Sequence, residues 1–235
     1  MFIKILIALF FQELWRLRIS FHFAYRLLIY LTATVLVDIA THLSDNTLAG
    51  GVYLAGVPYI GPVMDKIGKS KELHVNLLEE HDVALANRST IKFVQSMFLD
   101  QNASWEKMCL FMGMSLSQSP QDRIFTVTRP QSPDKLYELG GQGFPLLVVN
   151  GTHDVYIDGS ELVKEVEPHF KNLQVHAFER GGSHALHIEN EEEVMFVIAS
   201  FVRQVASKVR SLHPEPILLL FTIGDSETDA SKTVE

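Results

Sequence analysis

The sequence has few of the features that mark several common protein classes. Its 235 residues contain one cysteine, Cys109, so an internal disulfide framework is excluded. The simplest expectation is a reducing compartment, and we therefore predict a cytoplasmic protein. No run of Lys and Arg offsets the net charge of −8. Because phosphate groups attract basic surfaces, this balance disfavours nucleic acid and anionic membranes as partners.

Long uncharged apolar runs are also missing. A helix that spans a bilayer needs about 20 consecutive apolar residues. The run from Met1 to Phe11 is too short, and the run from Leu27 to Val37 is ended by Asp38. We therefore expect no membrane anchor. Membrane association through residues 1–37 is the alternative that these two runs leave open.

Signatures of cofactors and metals are absent as well. The sequence contains neither a glycine-rich phosphate-binding loop nor the H-E-x-x-H pattern of zinc enzymes. We therefore predict no cofactor and no metal. The chemistry of the protein has to be inferred from its own side chains.

Beyond residue 45, apolar strands alternate with helices. Three apolar runs rich in β-forming residues predict strands: Leu48–Tyr59, Phe144–Asp154 and Leu173–His184. Helices are predicted over Ala33–Leu43, from a cap at Ser160 onward, and over Glu191–Arg210, which carries one apolar stripe. Continuous apolar strands that alternate with helices are typical of a parallel sheet covered on both faces. The sequence thus predicts an α/β protein.

The stretch Pro62–Gly143 differs, because it shows helical patterns and no good strand. Ser89 and Ser104 are candidate helix caps within it, and we expect the Cys109 thiol to be buried in an apolar helix. The predicted organisation has four parts: an apolar N-terminal segment over 1–26, a core over 27–61 and 144–212, a helical cap inserted over 62–143, and a tail over 213–235 with a disordered end.

Two predicted strands end in residues that could carry out chemistry. Asp154 follows one strand in "VVNGTHD", and His184 follows the next in "ERGGSH". The carboxyl ends of parallel strands share one edge, so we expect Asp154 to orient the imidazole and His184 to act as general base. Asp158 is an alternative acid, and His187 is an alternative base. A metal site formed by Asp154, His184 and His187 is disfavoured because no zinc motif is present.

Four segments in this order resemble an α/β-hydrolase, in particular its fungal esterase-like or lipase-like members: "VLVDIATHL", "GVYLAGVPY", "LLVVNGTHD" and "GGSHALHIENEEEV". The resemblance covers about residues 34–210. It implies the C-terminal half of the family's parallel sheet, a helical cap, and Asp154 and His184 as two members of a Ser-His-Asp triad. The activity it implies is hydrolysis of an ester or amide of a small apolar substrate, without a cofactor.

The third member of the triad does not match the family. In the family, the catalytic serine lies in the motif G-x-S-x-G. Counted back from Asp38 by the usual spacing, the position of the serine is occupied here by Tyr30, and the positions of the two glycines are occupied by Leu28 and Thr32. Glycines give room for the tight strand-to-helix turn, and a phenol is a weaker nucleophile than an activated serine hydroxyl. Ser115 in "GMSLS" resembles the motif, but it lies in the helical insertion without a preceding strand.

The chain is therefore predicted to be an N-terminally truncated or degenerate hydrolase that is poorly active or inactive. About 30 residues precede Tyr30, too few for the family's four early strands and the loop that supplies half of the oxyanion hole. We expect a longer form, or a different start, to supply them. The strand over 27–31 would be an exposed sheet edge that permits self-association. The alternative function is non-catalytic binding of a small apolar ligand or a partner.

Overall fold

The protein is described by a computed structural model. It describes residues 33–42, 48–69, 76, 79, 81–99, 103–116 and 119–212. The expectations for the N-terminal segment, for the strand over 27–31 with Tyr30, and for the tail over 213–235 lie outside the described residues.

Three parallel strands form the described sheet, in the order β1-β2-β3. They are β1 (Gly51–Leu54), β2 (Pro145–Gly151) and β3 (Asn172–Phe178). β1 and β2 lie inside predicted apolar runs, and β3 begins one residue before the run predicted from Leu173; each strand is shorter than its run. β1 ends at Leu54 because Ala55 adopts a positive φ of 46°, in the left-handed region that side chains disfavour.

Within the described residues, nine α-helices and one 3₁₀ turn (Glu167–His169) accompany the strands. The α-helices are α1 (Ala33–His42), α2 (Met64–Ile67), α3 (Val83–Ser96), α4 (Trp105–Leu116), α5 (Pro120–Thr128), α6 (Asp134–Gly141), α7 (Gly159–Val166), α8 (Leu186–Glu189) and α9 (Glu191–Leu212). Helices α2 to α6 lie between β1 and β2, where a helical insertion was predicted. Within the described ranges, no helix has both the length and the apolar character needed to cross a bilayer.

Helices cover both faces of the sheet. Successive side chains of a strand point to opposite faces. Tyr53, Leu146 and Val148 belong to a cluster with α1, α3, α6 and α7, whereas Leu147 and Val149 belong to a second cluster with α9. The predicted stripe of α9 lies in the second cluster: Val194, Val197, Ile198, Phe201, Val202 and Val205. Two apolar layers therefore hold the sheet between helices.

The prediction of a cap at Ser160 is wrong. Helix α7 begins at Gly159, and the Asp158 side chain is its cap. Asp158 Oδ1 accepts from the backbone N–H groups of Ser160 (3.0 Å) and Glu161 (3.2 Å). A carboxylate is a stronger acceptor than a hydroxyl and favours the positive end of the helix dipole, so the residue two positions upstream takes the role.

Two expectations for the insertion are also wrong. Ser89 is buried in the middle of α3, whose cap is Asp82. Cys109 is exposed. It stands two positions before the buried Phe111 in α4, and a separation of two residues on a helix turns a side chain toward the opposite face. Ser104 does precede α4, and its Oγ accepts from the N–H of Lys107 at 3.4 Å.

We predict that Leu146→Ala lowers the free energy of unfolding by about 2–5 kcal/mol, because it opens a cavity where β2 meets α1. Leu146 has no exposed surface, whereas Val175 on β3 is 47% exposed. Val175→Ala is the control and should cost below about 0.5 kcal/mol. Urea unfolding measures both, and equal losses would contradict the layered core.

Candidate active site

Asp154 lies in the loop that follows β2, and its carboxylate is 1% exposed. A buried carboxylate needs compensating hydrogen bonds. Asp154 Oδ1 accepts from the backbone N–H groups of Tyr156 (2.7 Å) and Ile157 (3.0 Å), which turns the loop back toward the carboxylate. Asp154 Oδ2 lies 2.9 Å from His184 Nδ1. The structure thus joins the two residues that the strand ends were predicted to bring together.

The acid loop (residues 152–158) is held from outside by the segment after α2. Gly68 and Ile157 form an antiparallel bridge. The Lys69 N–H donates to Tyr156 O at 2.9 Å, and Lys69 Nζ donates to Asp154 O at 3.0 Å. The insertion therefore fixes the backbone on which the Asp154 carboxylate stands. No motif in the sequence marked Lys69 for this position.

Backbone contact between two glycines brings the acid loop to the histidine loop (residues 179–185). A Cβ on Gly151 would lie 1.9 Å from Gly182 O, and a Cβ on Gly182 would lie 2.1 Å from Phe178 O. The N–H of His153 donates to Gly182 O at 2.8 Å. Only residues without a side chain allow this approach, so the two glycines set the distance between the loops.

The His184 ring is 20% exposed and packs edge-on against Tyr156, with ring centroids 5.1 Å apart. Tyr156 is buried, and its hydroxyl hydrogen-bonds Ser96 and, at 3.3 Å, Phe93 O. Burial raises the pKa of Tyr156, so its phenol stays neutral near pH 7. Tyr156 therefore connects the histidine to α3 of the insertion through aromatic and polar contacts.

The ring has one nitrogen toward Asp154 and one that no described residue hydrogen-bonds. Nδ1 faces the carboxylate, and Nε2 has no partner within the described residues. A base oriented in this way can accept a proton at Nε2 while the carboxylate stabilises the cation that forms.

The alternative acid and base occupy other places. Asp158 caps α7. Burial lowers the pKa of His187 from 6.5 to about 4, with a smaller contribution from the charge of the neighbouring His184. The His187 imidazole is therefore a poor proton acceptor. Among the described residues, no three His, Cys, Asp or Glu side chains converge as a metal site requires. The roles predicted for Asp154 and His184 stay predictions, now with a geometry that suits them.

Of the two candidate nucleophiles, Ser115 lies in helix α4 and Tyr30 is not among the described residues. Ser115 is in the last turn of α4, so no strand-to-helix turn presents it. Tyr30 belongs to the residues that the structure does not describe. Among the described residues, the site therefore consists of the Asp154–His184 pair, and neither nucleophile candidate has been located beside it.

Comparison with known proteins gives structural matches alone. The sequence matches no protein-family model and no curated protein. A Burkholderia cenocepacia protein described as an aryl esterase matches with a TM-score of 0.66 and 18% identity, over 76% of this chain and 64% of that one. An esterase from Rhodococcus sp. ECU1013 matches with a TM-score of 0.64 and 21% identity, over 74% and 62%. Proline iminopeptidase from Mycobacterium smegmatis matches at 0.53 and 15%, over 77% and 66%.

The chain has part of an α/β-hydrolase fold. The fold class predicted from the sequence is thereby confirmed. The chain spans less than two thirds of the first two of these structures, 64% and 62% of their lengths. At such identities the likeness establishes the fold, and the activity of this α/β-hydrolase-like chain is a separate inference.

We predict that Gly182→Ala pushes the histidine loop away from the acid loop and breaks the bond between His184 and Asp154. The methyl group would overlap the backbone of Phe178. Gly113→Ala is a matched control, because a Cβ there meets nothing within 4 Å. It should be neutral or stabilising by up to about 1 kcal/mol, since alanine favours helix. The low-field proton resonance of the His184 N–H in NMR spectra reports the bond, and its survival in Gly182→Ala would contradict the assigned contact.

The low pKa of His187 predicts an acid-sensitive fold. The unfolded chain binds a proton at His187 near pH 6.5, whereas the folded chain binds it near pH 4. The contribution of His187 to the free energy of unfolding is therefore fully present above pH 6.5. It is lost, by at most about 3 kcal/mol, as the pH drops toward 4. His187→Gln should flatten urea-unfolding free energies across this window. A variant with the wild-type slope would show that His187 is not the group responsible.

Proposed function

We propose that Asp154 and His184 are the acid and base of a hydrolase relay for esters or amides of small apolar compounds. The observation that carries the proposal is the 2.9 Å contact between Asp154 Oδ2 and His184 Nδ1. It lies where neighbouring parallel strands end, and the other carboxylate oxygen is held by two backbone N–H groups. In such a relay the aspartate fixes the imidazole tautomer, and the imidazole activates a hydroxyl nucleophile.

We further propose that this polypeptide hydrolyses such substrates poorly or not at all. Tyr30 stands where the family resemblance places the serine, and neither neighbouring glycine position holds a glycine. In a serine hydrolase, loss of the nucleophile alone costs a factor of about 10⁶ in turnover. The Asp154–His184 pair would then bind a ligand without reacting.

Covalent labelling with a fluorophosphonate tests the proposal on the full chain. We expect no labelled serine, and we expect turnover of a p-nitrophenyl ester to be the same in wild type and in His184→Ala. His153→Ala is a matched control, because His153 is an exposed imidazole in the acid loop. A serine that is labelled in wild type and in His153→Ala, but not in His184→Ala, would refute the prediction of weak or absent activity.

The same experiment separates the non-catalytic alternative. If neither labelling nor turnover depends on His184, binding of a p-nitrophenyl ether, which cannot be hydrolysed, is measured by calorimetry. Binding that weakens in His184→Ala but not in His153→Ala would favour a ligand-binding site built on the retained pair.

A further inference from the structure

Glu189, five residues after His184, joins two parts of the chain that are distant in sequence. It is the last residue of α8. Its Oε1 accepts from the backbone N–H of Leu99 at 2.9 Å, and its Oε2 accepts a short hydrogen bond from Ser183 Oγ. Both carboxylate oxygens therefore have a donor, one from the turn after α3 and one from the histidine loop.

Both chain neighbours of His184 are held by this arrangement. Ser183 is 2% exposed, and its Oγ accepts from the N–H of Ala185 at 3.1 Å. The same N–H donates to Met97 O at 2.9 Å. The backbone on each side of the histidine is thus tied to residues 97–99, directly through Ala185 and by way of Glu189 through Ser183.

Other hydrogen bonds also hold the histidine loop, and they are neutral: the N–H of His153 donates to Gly182 O at 2.8 Å, and Asn190 Nδ2 donates to Arg180 O at 3.0 Å. Gly181 has a positive φ of 65°, and Gly182 follows it. Two successive glycines leave the backbone many alternative conformations in the absence of other restraints. Within the described residues, the imidazole itself has one hydrogen bond, to Asp154. Charge-assisted bonds to a carboxylate are stronger than neutral ones, so Glu189 and Asp154 provide the stronger of the hydrogen bonds to the loop that are named here.

We propose that Glu189 is a positioning residue that holds His184 in hydrogen-bond contact with Asp154 by fastening the histidine loop to residues 97–99 of the insertion. Glu189 acts through Ser183 and Leu99 and has no described contact with the imidazole. The inference rests on the proposed function, because it takes Asp154 and His184 as a working pair. A displacement of residues 97–99 would therefore change the hydrogen bond between Asp154 and His184.

Glu189→Ala and Glu189→Gln distinguish the effect of the Glu189 hydrogen bonds from the effect of its side-chain volume. The alanine variant removes both acceptors, so the Leu99 N–H and the Ser183 O–H have no group to donate to. Glutamine keeps the shape and one acceptor for Leu99, but it presents an NH₂ group to Ser183. Glu192→Ala is the control, because Glu192 is an exposed glutamate in the first turn of α9.

The readout is the low-field NMR resonance of the His184 Nδ1–H proton, assigned by its loss in Asp154→Asn. We expect the resonance to be unchanged in Glu192→Ala, weakened in Glu189→Gln, and at least roughly fivefold weaker in Glu189→Ala. Circular dichroism and urea unfolding identify the folded variants. A folded Glu189→Ala with an undiminished resonance would overturn the positioning role and leave the proposed function standing.

Ser183→Ala keeps the test decisive if Glu189→Ala does not fold. It removes one hydroxyl and leaves the bond between Glu189 and Leu99 in place. An intact resonance in a folded Ser183→Ala would overturn the route through Ser183, and a weakened one supports it. Absence of the Asp154-dependent resonance in wild type would overturn the proposed function together with this inference.

Discussion

A carboxylate withdrawn from water must have its oxygens hydrogen-bonded, and this requirement shapes the part of the molecule around Asp154. An ion buried without partners costs several kcal/mol, so the fold must bring donors to it. Two donors are backbone N–H groups of the loop itself, and the third position is taken by the His184 imidazole. The loop can turn back on itself and still meet the histidine only because Gly151 and Gly182 allow the two backbones to touch. The hydrogen bonds of the site are therefore part of the packing that holds the two loops together.

The helical insertion also helps to hold the two loops in place. Lys69 holds the acid loop, and residues 97–99 hold the histidine loop. The far end of the insertion is fixed to α1 as well. Arg129 bonds Asp38 through Nε (3.3 Å) and Nη2 (3.1 Å), and Gln131 Nε2 donates to Asp38 Oδ1 at 2.5 Å. These attachments hold the insertion against the sheet layers at three places. The first two of these attachments hold the loops that carry Asp154 and His184.

The sequence predicted what repeats along the chain and missed what joins distant segments. Apolar runs bounded by glycine located β1, β2 and β3, and residues at strand ends identified Asp154 and His184, because parallel strands place their ends together. The caps were less predictable, since several polar residues stood near each helix start and the upstream carboxylate prevailed at α7. Cys109 was misassigned because a short apolar helix has two faces and its composition does not say which is buried. The bond between Glu189 and Leu99 spans 90 positions, and no local pattern could have indicated it.

The proposed pairing of Asp154 with His184 depends most on the protonation state of one imidazole ring. A base that Asp154 orients must carry its proton on Nδ1 and leave Nε2 free when the imidazole is neutral. Long-range ¹⁵N–¹H correlation spectra of the full chain identify the tautomer of His184 directly. We expect the Nδ1–H tautomer in wild type and its loss in Asp154→Asn. A neutral His184 that carries its proton on Nε2, with or without Asp154, would contradict the proposed pairing.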